Sequence, residues 1–135
     1  EALGLSNASQ GLDEIDFSIG SGTLTIALES PLPDVTDPVT IDGTSQPGFS
    51  GEPLIEITGS GTVESGIAVL AGDSTLRGLR ITRFPFNEEG TNAAVLLKDG
   101  GANRIEGCVN KRRRFYRTSI HCTCTQLLAD FHRFR

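Results

Sequence analysis

The sequence predicts an all-β chain wound as a parallel solenoid, on three observations. Short runs of β-branched and aliphatic residues alternate with turn residues through residues 15–109. No long pattern of helical period interrupts them. A stretch beginning at Ile67 also recurs further along the chain, at Val95.

The bulk numbers agree. A chain of 135 residues has room for one domain. With 37% hydrophobic and 21% charged residues it is neither a charge-rich disordered chain nor a coiled coil, and its 16 Gly follow no collagen period. The longest aliphatic runs, 67–71 and 93–97, fall far short of the roughly 20 apolar residues a membrane span needs. With no initial Met and no basic-then-apolar leader, the chain reads as a processed product or an internal fragment.

Composition changes abruptly near Asn110. Residues 1–110 hold 5 Lys+Arg against 16 Asp+Glu, a net of −11. Residues 111–135 hold 7 Lys+Arg against Asp130 alone, a net of +6. All 16 Gly and all 6 Pro precede residue 111, whereas both His, the one Tyr and two of the 3 Cys follow it. The expected division is therefore a folded unit over 1–110 and an atypical basic tail over 111–135.

Along the folded unit, residues 1–9 carry Ala2, Leu3, Leu5 and Ala8 at a spacing that allows about two helical turns. From Ile15 onward the strand runs are 22–28, 39–41, 54–58, 67–70, 75–81, 94–97 and 103–109. Between them lie turn residues: Pro31-Leu-Pro-Asp34, Asp42-Gly43, Gln46-Pro-Gly48, Ala71-Gly-Asp-Ser74 and Asp99-Gly-Gly101.

The repeat sets the architecture. Ile67 falls on Val95, Val69 on Leu97 and Gly72 on Gly100, an offset of 28. With Gly101 inserted in the turn, Leu76 falls on Ile105, Gly78 on Gly107 and Leu79 on Cys108, an offset of 29. Two or three strands per repeat of this length suit a coil of a parallel solenoid. Strict alternation would send Leu76 and Leu79 to opposite faces. A bulge at Gly78 shifts the phase, so that Leu76, Leu79 and Ile81 face inward and Arg77 and Arg80 outward. The alignment further places Arg77 beside Glu106 on adjacent coils, and Cys108 as a buried, unreactive thiol at the position of Leu79.

Several stretches carry a resemblance: Asp13-Glu-Ile-Asp-Phe-Ser-Ile19, the segment 31–49 with its most specific part at 36–49, Pro53-Leu-Ile-Glu-Ile57, Ser74-Thr-Leu-Arg-Gly-Leu79 and Asn103-Arg-Ile-Glu-Gly107. Over roughly residues 1–109 the chain resembles bacterial right-handed parallel β-helix repeat proteins, which are large secreted or surface proteins of pectate-lyase-like fold. The resemblance implies about three coils behind an N-terminal helical cap, of which residues 1–9 would be the end. It implies a structural or binding segment of a surface stalk or adhesin-like protein, meeting polysaccharide or another cell-surface ligand. The alternative is the N-terminal part of a polysaccharide lyase or hydrolase whose catalytic coils lie elsewhere. The pattern stops at Val109, where the family continues for many more coils.

Candidate chemistry is sparse. A glycoside hydrolase needs two facing carboxylates about 5–10 Å apart. Asp13, Asp16, Asp34, Asp37, Asp42 and Asp73 are present, but no Asp-Asp pair and no His before residue 121. Arg77 and Arg80 are suited to an acidic sugar, or to a solvent-facing ladder that offsets the acidic surface. No catalytic residue is assigned. The clusters Asp13/Glu14/Asp16 and Asp34/Asp37/Asp42 offer hard oxygen ligands, but their spacing matches no EF-hand or nonapeptide repeat. Asp34, Asp37 and Asp42 sit beside Pro or Gly, where Asp commonly caps a turn by bonding the backbone. No metal or cofactor is therefore expected.

In the tail, His121-Cys-Thr-Cys124 with His132 is not a zinc-finger spacing. Lys111-Arg-Arg-Arg-Phe-Tyr-Arg117 mixes basic and aromatic residues as nucleic-acid patches and ordinary basic tails both do, and no nucleic-acid partner is assigned. Three Cys leave one unpaired, so this is no disulfide scaffold. The compositional break fits an out-of-frame or foreign sequence, or a disordered tail. Without Gly or Pro the segment is not expected to extend the solenoid, although 125–134 has the apolar spacing of a short docked helix.

Overall fold

The structure, a computed structural model, describes residues 1–85, 93–98 and 101–109. The expectations for 111–135, including its separation at residue 110, lie outside the described residues. What is described is mostly β, with a single short helix and parallel sheets.

The helix α1 spans Ala2–Ala8, the two turns expected, and buries Leu3 and Ser6, three residues apart on one side. Asn7 then acts where a neighbouring strand would. Its Oδ1 accepts from the Thr36 N–H at 2.9 Å, and its Nδ2 donates to the Asp34 carbonyl at 2.8 Å.

Among the described residues nine strands follow: β1 Asp13–Asp16, β2 Leu24–Leu28, β3 Val39–Asp42, β4 Ile55–Gly59, β5 Ile67–Val69, β6 Thr75–Arg77, β7 Leu79–Thr82, β8 Val95–Leu97 and β9 Arg104–Glu106. A short 3-10 turn, Gly43–Ser45, follows β3. Three sheets result, in the orders β1-β3-β6-β9, β2-β4-β7 and β5-β8, every pair parallel. Val35 extends the third sheet by a parallel bridge to Val69.

The pairing reproduces the repeat alignment. Ile67 lies opposite Val95 and Val69 opposite Leu97, and in the first sheet Leu76 lies opposite Ile105. The core forms from inward rows that run across the strands: Ile15-Ile41-Leu76-Ile105, Leu24-Ile55-Leu79 and Ile26-Ile57-Ile81. Inward residues of the inner strands are almost fully buried, whereas Ile15, Leu24 and Ile26 on β1 and β2 are only partly so. The strand β1 was not among the runs read from strand pattern alone, because three of its four residues are Asp or Glu. It is held by its ladder to β3 and by Ile15 in the inward row.

Gly78 produces the phase shift expected of it. At φ 62° it occupies the left-handed region, as does its counterpart Gly107 at φ 57°. Leu76, Leu79 and Ile81 consequently all face the core, each at most 2% exposed. The bend also requires Gly43 on the preceding pass, where an added Cβ would lie 2.2 Å from the Gly78 carbonyl oxygen. Polar side chains satisfy backbone groups at other corners. Gln46 donates to the Ile19 carbonyl and accepts its N–H, Ser45 Oγ accepts from the Phe17 N–H, and Asn103 Oδ1 accepts from the Ser74 N–H.

Cys108 is buried, 4% exposed, with Sγ donating to the Leu76 carbonyl at 3.6 Å. The bridge between Arg80 and Val109 aligns it with Leu79.

Two outcomes are expected. Gly43→Ala forces a methyl into a backbone carbonyl and should cost about 1–3 kcal/mol. Gly4→Ala, inside α1 and facing open space, should gain about 0.5–1 kcal/mol; denaturant midpoints compare the two. The Cys108 thiol should also resist alkylation in the native protein and react on unfolding, as peptide mass mapping would read. Native-state alkylation as fast as that of the unfolded chain would contradict its burial.

Candidate functional site

The outward face of the first sheet gathers charges of both signs from four strands. Alternation along β1, β3, β6 and β9 places two rows there, Glu14-Thr40-Thr75-Arg104 and Asp16-Asp42-Arg77-Glu106. Both rows run across four strands spaced about 4.8 Å apart. Glu14, Thr40, Thr75, Arg77, Arg104 and Glu106 of these rows, with Leu12 and Asp13, line an open groove of about 280 Å³.

Asp42 anchors this face. Its Oδ1 accepts from the Thr44 N–H at 2.9 Å and from the Thr44 hydroxyl at 2.5 Å, capping the 3-10 turn. Its Oδ2 accepts from Arg77 at 2.5 Å. The Asp42 side chain is 8% exposed and that of Arg77 41%. Burial pushes the Asp42 carboxyl up. The hydrogen bonds from Arg77 and Thr44, with the nearby positive charge, outweigh it and hold Asp42 below the usual carboxylate range. Arg77 is raised in turn, first by its hydrogen bond to Asp42 and then by that charge, with Glu14 and Glu106 adding to it.

Arg77 and Glu106 are register partners on β6 and β9, as the repeat alignment expects. The ion pairs on this face join other partners. Arg77 binds Asp42 one strand the other way, and Arg104 binds Glu106 at 2.7 Å within β9. The buried carboxylate of Asp42 draws the guanidinium more strongly than the half-exposed Glu106.

The acidic candidates divide. Glu14, Asp16 and Asp42 come together, with carboxylate oxygens within 4.8 Å of one another. They derive from two separate sequence clusters, joined because Asp16 lies opposite Asp42 in the ladder. This is a hard-oxygen set of the kind a divalent cation takes, but both Asp42 oxygens already serve Arg77 and Thr44. Asp37 accepts from the Gly11 N–H at 2.9 Å, Asp34 offers its carbonyl to Asn7, and Asp73 sits in a turn at φ 56°. Asp42 thus fills the capping role that its neighbouring Gly suggests, and the ion pair with Arg77 adds what the turn reading lacked. The tail candidates Lys111 to Arg117, His121, Cys122, Cys124 and His132 lie outside the described residues.

Chemically, the face presents fixed carboxylates, a guanidinium held between them and two threonine hydroxyls, a set suited to hydrogen-bonding a polyhydroxylated ligand. Acid catalysis of glycoside cleavage uses a carboxyl whose pKa is raised, and Asp42 is shifted the opposite way. No helix among the described residues is long and apolar enough to cross a membrane. Compared with protein-family models, curated proteins and solved structures, the chain matches none.

The Asp42–Arg77 pair has a pH signature. With the folded pKa of Asp42 below its ordinary 3.8, its stabilisation is complete above that value. It is lost as pH falls through about 3.8 and on through the lower folded pKa. Because Arg77 is partly exposed, the expected contribution is about 1 kcal/mol. Asp42→Asn should lose about that much at neutral pH and flatten the acid limb of a denaturation-against-pH curve, with the two proteins converging once the pH is below the lowered folded pKa of Asp42.

Proposed function

We propose that the chain is part of a right-handed parallel β-helix and serves as a structural and binding segment of a large extracellular repeat protein, a surface stalk or adhesin-like molecule. The observation that carries this reading is the parallel pairing of successive passes in three sheets around shared inward rows. Parallel strands demand a crossover between every pair, and such crossovers are right-handed in the great majority of proteins. Each pass buries its apolar row only against its neighbours, which is the stacking logic of a solenoid.

The resemblance of residues 1–109 supports the secreted or cell-surface setting. The outward rows of the first sheet are the proposed contact surface for polysaccharide, through hydroxyl contacts to Thr40 and Thr75 and charge-assisted bonds to Arg77, Glu14 and Asp16.

A panel of immobilised neutral and acidic polysaccharides tests this. The expected result is retention of the chain on at least one member, without release of reducing ends or unsaturated sugars. Product release would overturn the scaffold reading in favour of a polysaccharide-cleaving enzyme. Failure to bind any member would overturn the assignment of the face to polysaccharide.

A further inference from the structure

The strand β2 leaves one edge open. Among the described residues it pairs only with β4, and it is the outer strand of its sheet. The Leu24 N–H donates to the Leu54 carbonyl at 2.8 Å, so by the period of two the backbone groups of Leu24, Ile26 and Leu28 turn toward β4. Those of Thr25 and Ala27 then turn to the open edge, and both residues are exposed. Beside this edge the core is uncovered. Leu24 and Ile26 are only partly buried where their partners Ile55 and Ile57 are 0% and 5% exposed. The exposed large apolar residues among those described are Leu5, Leu12 and Ile19, on the helix and loops around β1 and β2.

Edge strands of this kind are usually blunted by charge, Pro or a bulge. The strand β1 is blunted, since Asp13, Glu14 and Asp16 would repel a second copy of themselves. The strand β2, Leu-Thr-Ile-Ala-Leu, carries no charge at all.

From this we infer that β2 is a self-association edge, pairing antiparallel with β2 of a second copy about a two-fold axis through Ile26. The sequence selects a second copy because its inward row is symmetric about that axis. Leu24 comes opposite the partner copy's Leu28, and Ile26 opposite its own equivalent. Thr25 comes opposite the partner copy's Ala27, and these are the residues whose N–H and C=O face the edge, so each such pair exchanges two hydrogen bonds. The apolar row continues from one copy into the other, covering the partly exposed Leu24 and Ile26. The contact is isologous, so association closes at a dimer.

The test uses the full chain in sedimentation velocity and light scattering. The expected result is a concentration-dependent shift from 14.4 kDa to twice that mass. Thr25→Lys with Ala27→Lys places like charges opposite each other across the axis while leaving the inward row untouched, and should hold the protein monomeric. Thr25→Glu with Ala27→Glu should do the same. Mixing the two double variants should restore a dimer containing one of each, which unfolded variants would not do. A chain that stays at 14.4 kDa throughout, a dimer unaffected by the lysine pair, or failure of the mixture to reassociate would each overturn the proposal. So would growth beyond a dimer.

Discussion

The bend at Gly78 is the constraint on which the rest of the chain's geometry depends. It turns β6 into β7 within one residue, and at φ 62° it resets which side chains point inward. Leu76 and Leu79 are three apart and would face opposite ways on a regular strand. Through the bend both enter the core, and Arg77 and Arg80 are left outside. The same carbonyl that makes the bend sits against Gly43 of the previous pass. Close stacking therefore needs two glycines on successive passes, one for its backbone angle and the other for its missing side chain. Gly107 repeats the left-handed conformation on the next pass.

Stacking parallel passes creates a second demand, since the corners between strands expose backbone groups that no ladder satisfies. The chain answers with short polar side chains reaching to the neighbouring pass. Ser74 Oγ accepts from the Val39 N–H at 3.2 Å, and Asn103 Oδ1 accepts from the Ser74 N–H at 2.9 Å. Gln46, 1% exposed, holds both backbone groups of Ile19. These buried polar groups fix register as well as saturating hydrogen bonds, because a slip by one residue would leave each of them unpaired in the core.

The polar face of the first sheet follows from the same alternation that builds the core. Each strand that sends Ile15, Ile41, Leu76 or Ile105 inward must send its neighbours outward. The ladder then decides which charges meet. Asp42 is held by its own turn independently of Arg77, and this local fixation makes the ion pair geometrically specific rather than one of many exposed contacts.

Strand-forming runs, turn residues, the two-turn helix and the last repeat were legible in the sequence, because periodicity and turn chemistry are local properties. Ile67 over Val95 and Leu76 over Ile105 could be aligned because their offsets, 28 and 29, are nearly equal in two sheets. Earlier passes escaped detection because their returns differ: Asp13 lies opposite Val39, 26 positions on, whereas Thr40 lies opposite Thr75, 35 positions on, and Ile55 opposite Leu79, only 24 on. The acidic strand β1 was hidden for a related reason, since its place in a sheet comes from its partner and not from its composition. The union of Glu14 and Asp16 with Asp42, the choice of Asp42 over Glu106 by Arg77, and the open, uncharged edge of β2 were decided by the tertiary structure alone. Each depends on which strand lies beside which, and pairing between segments two dozen or more residues apart is set by how the whole core closes, a non-local quantity that no window of sequence contains.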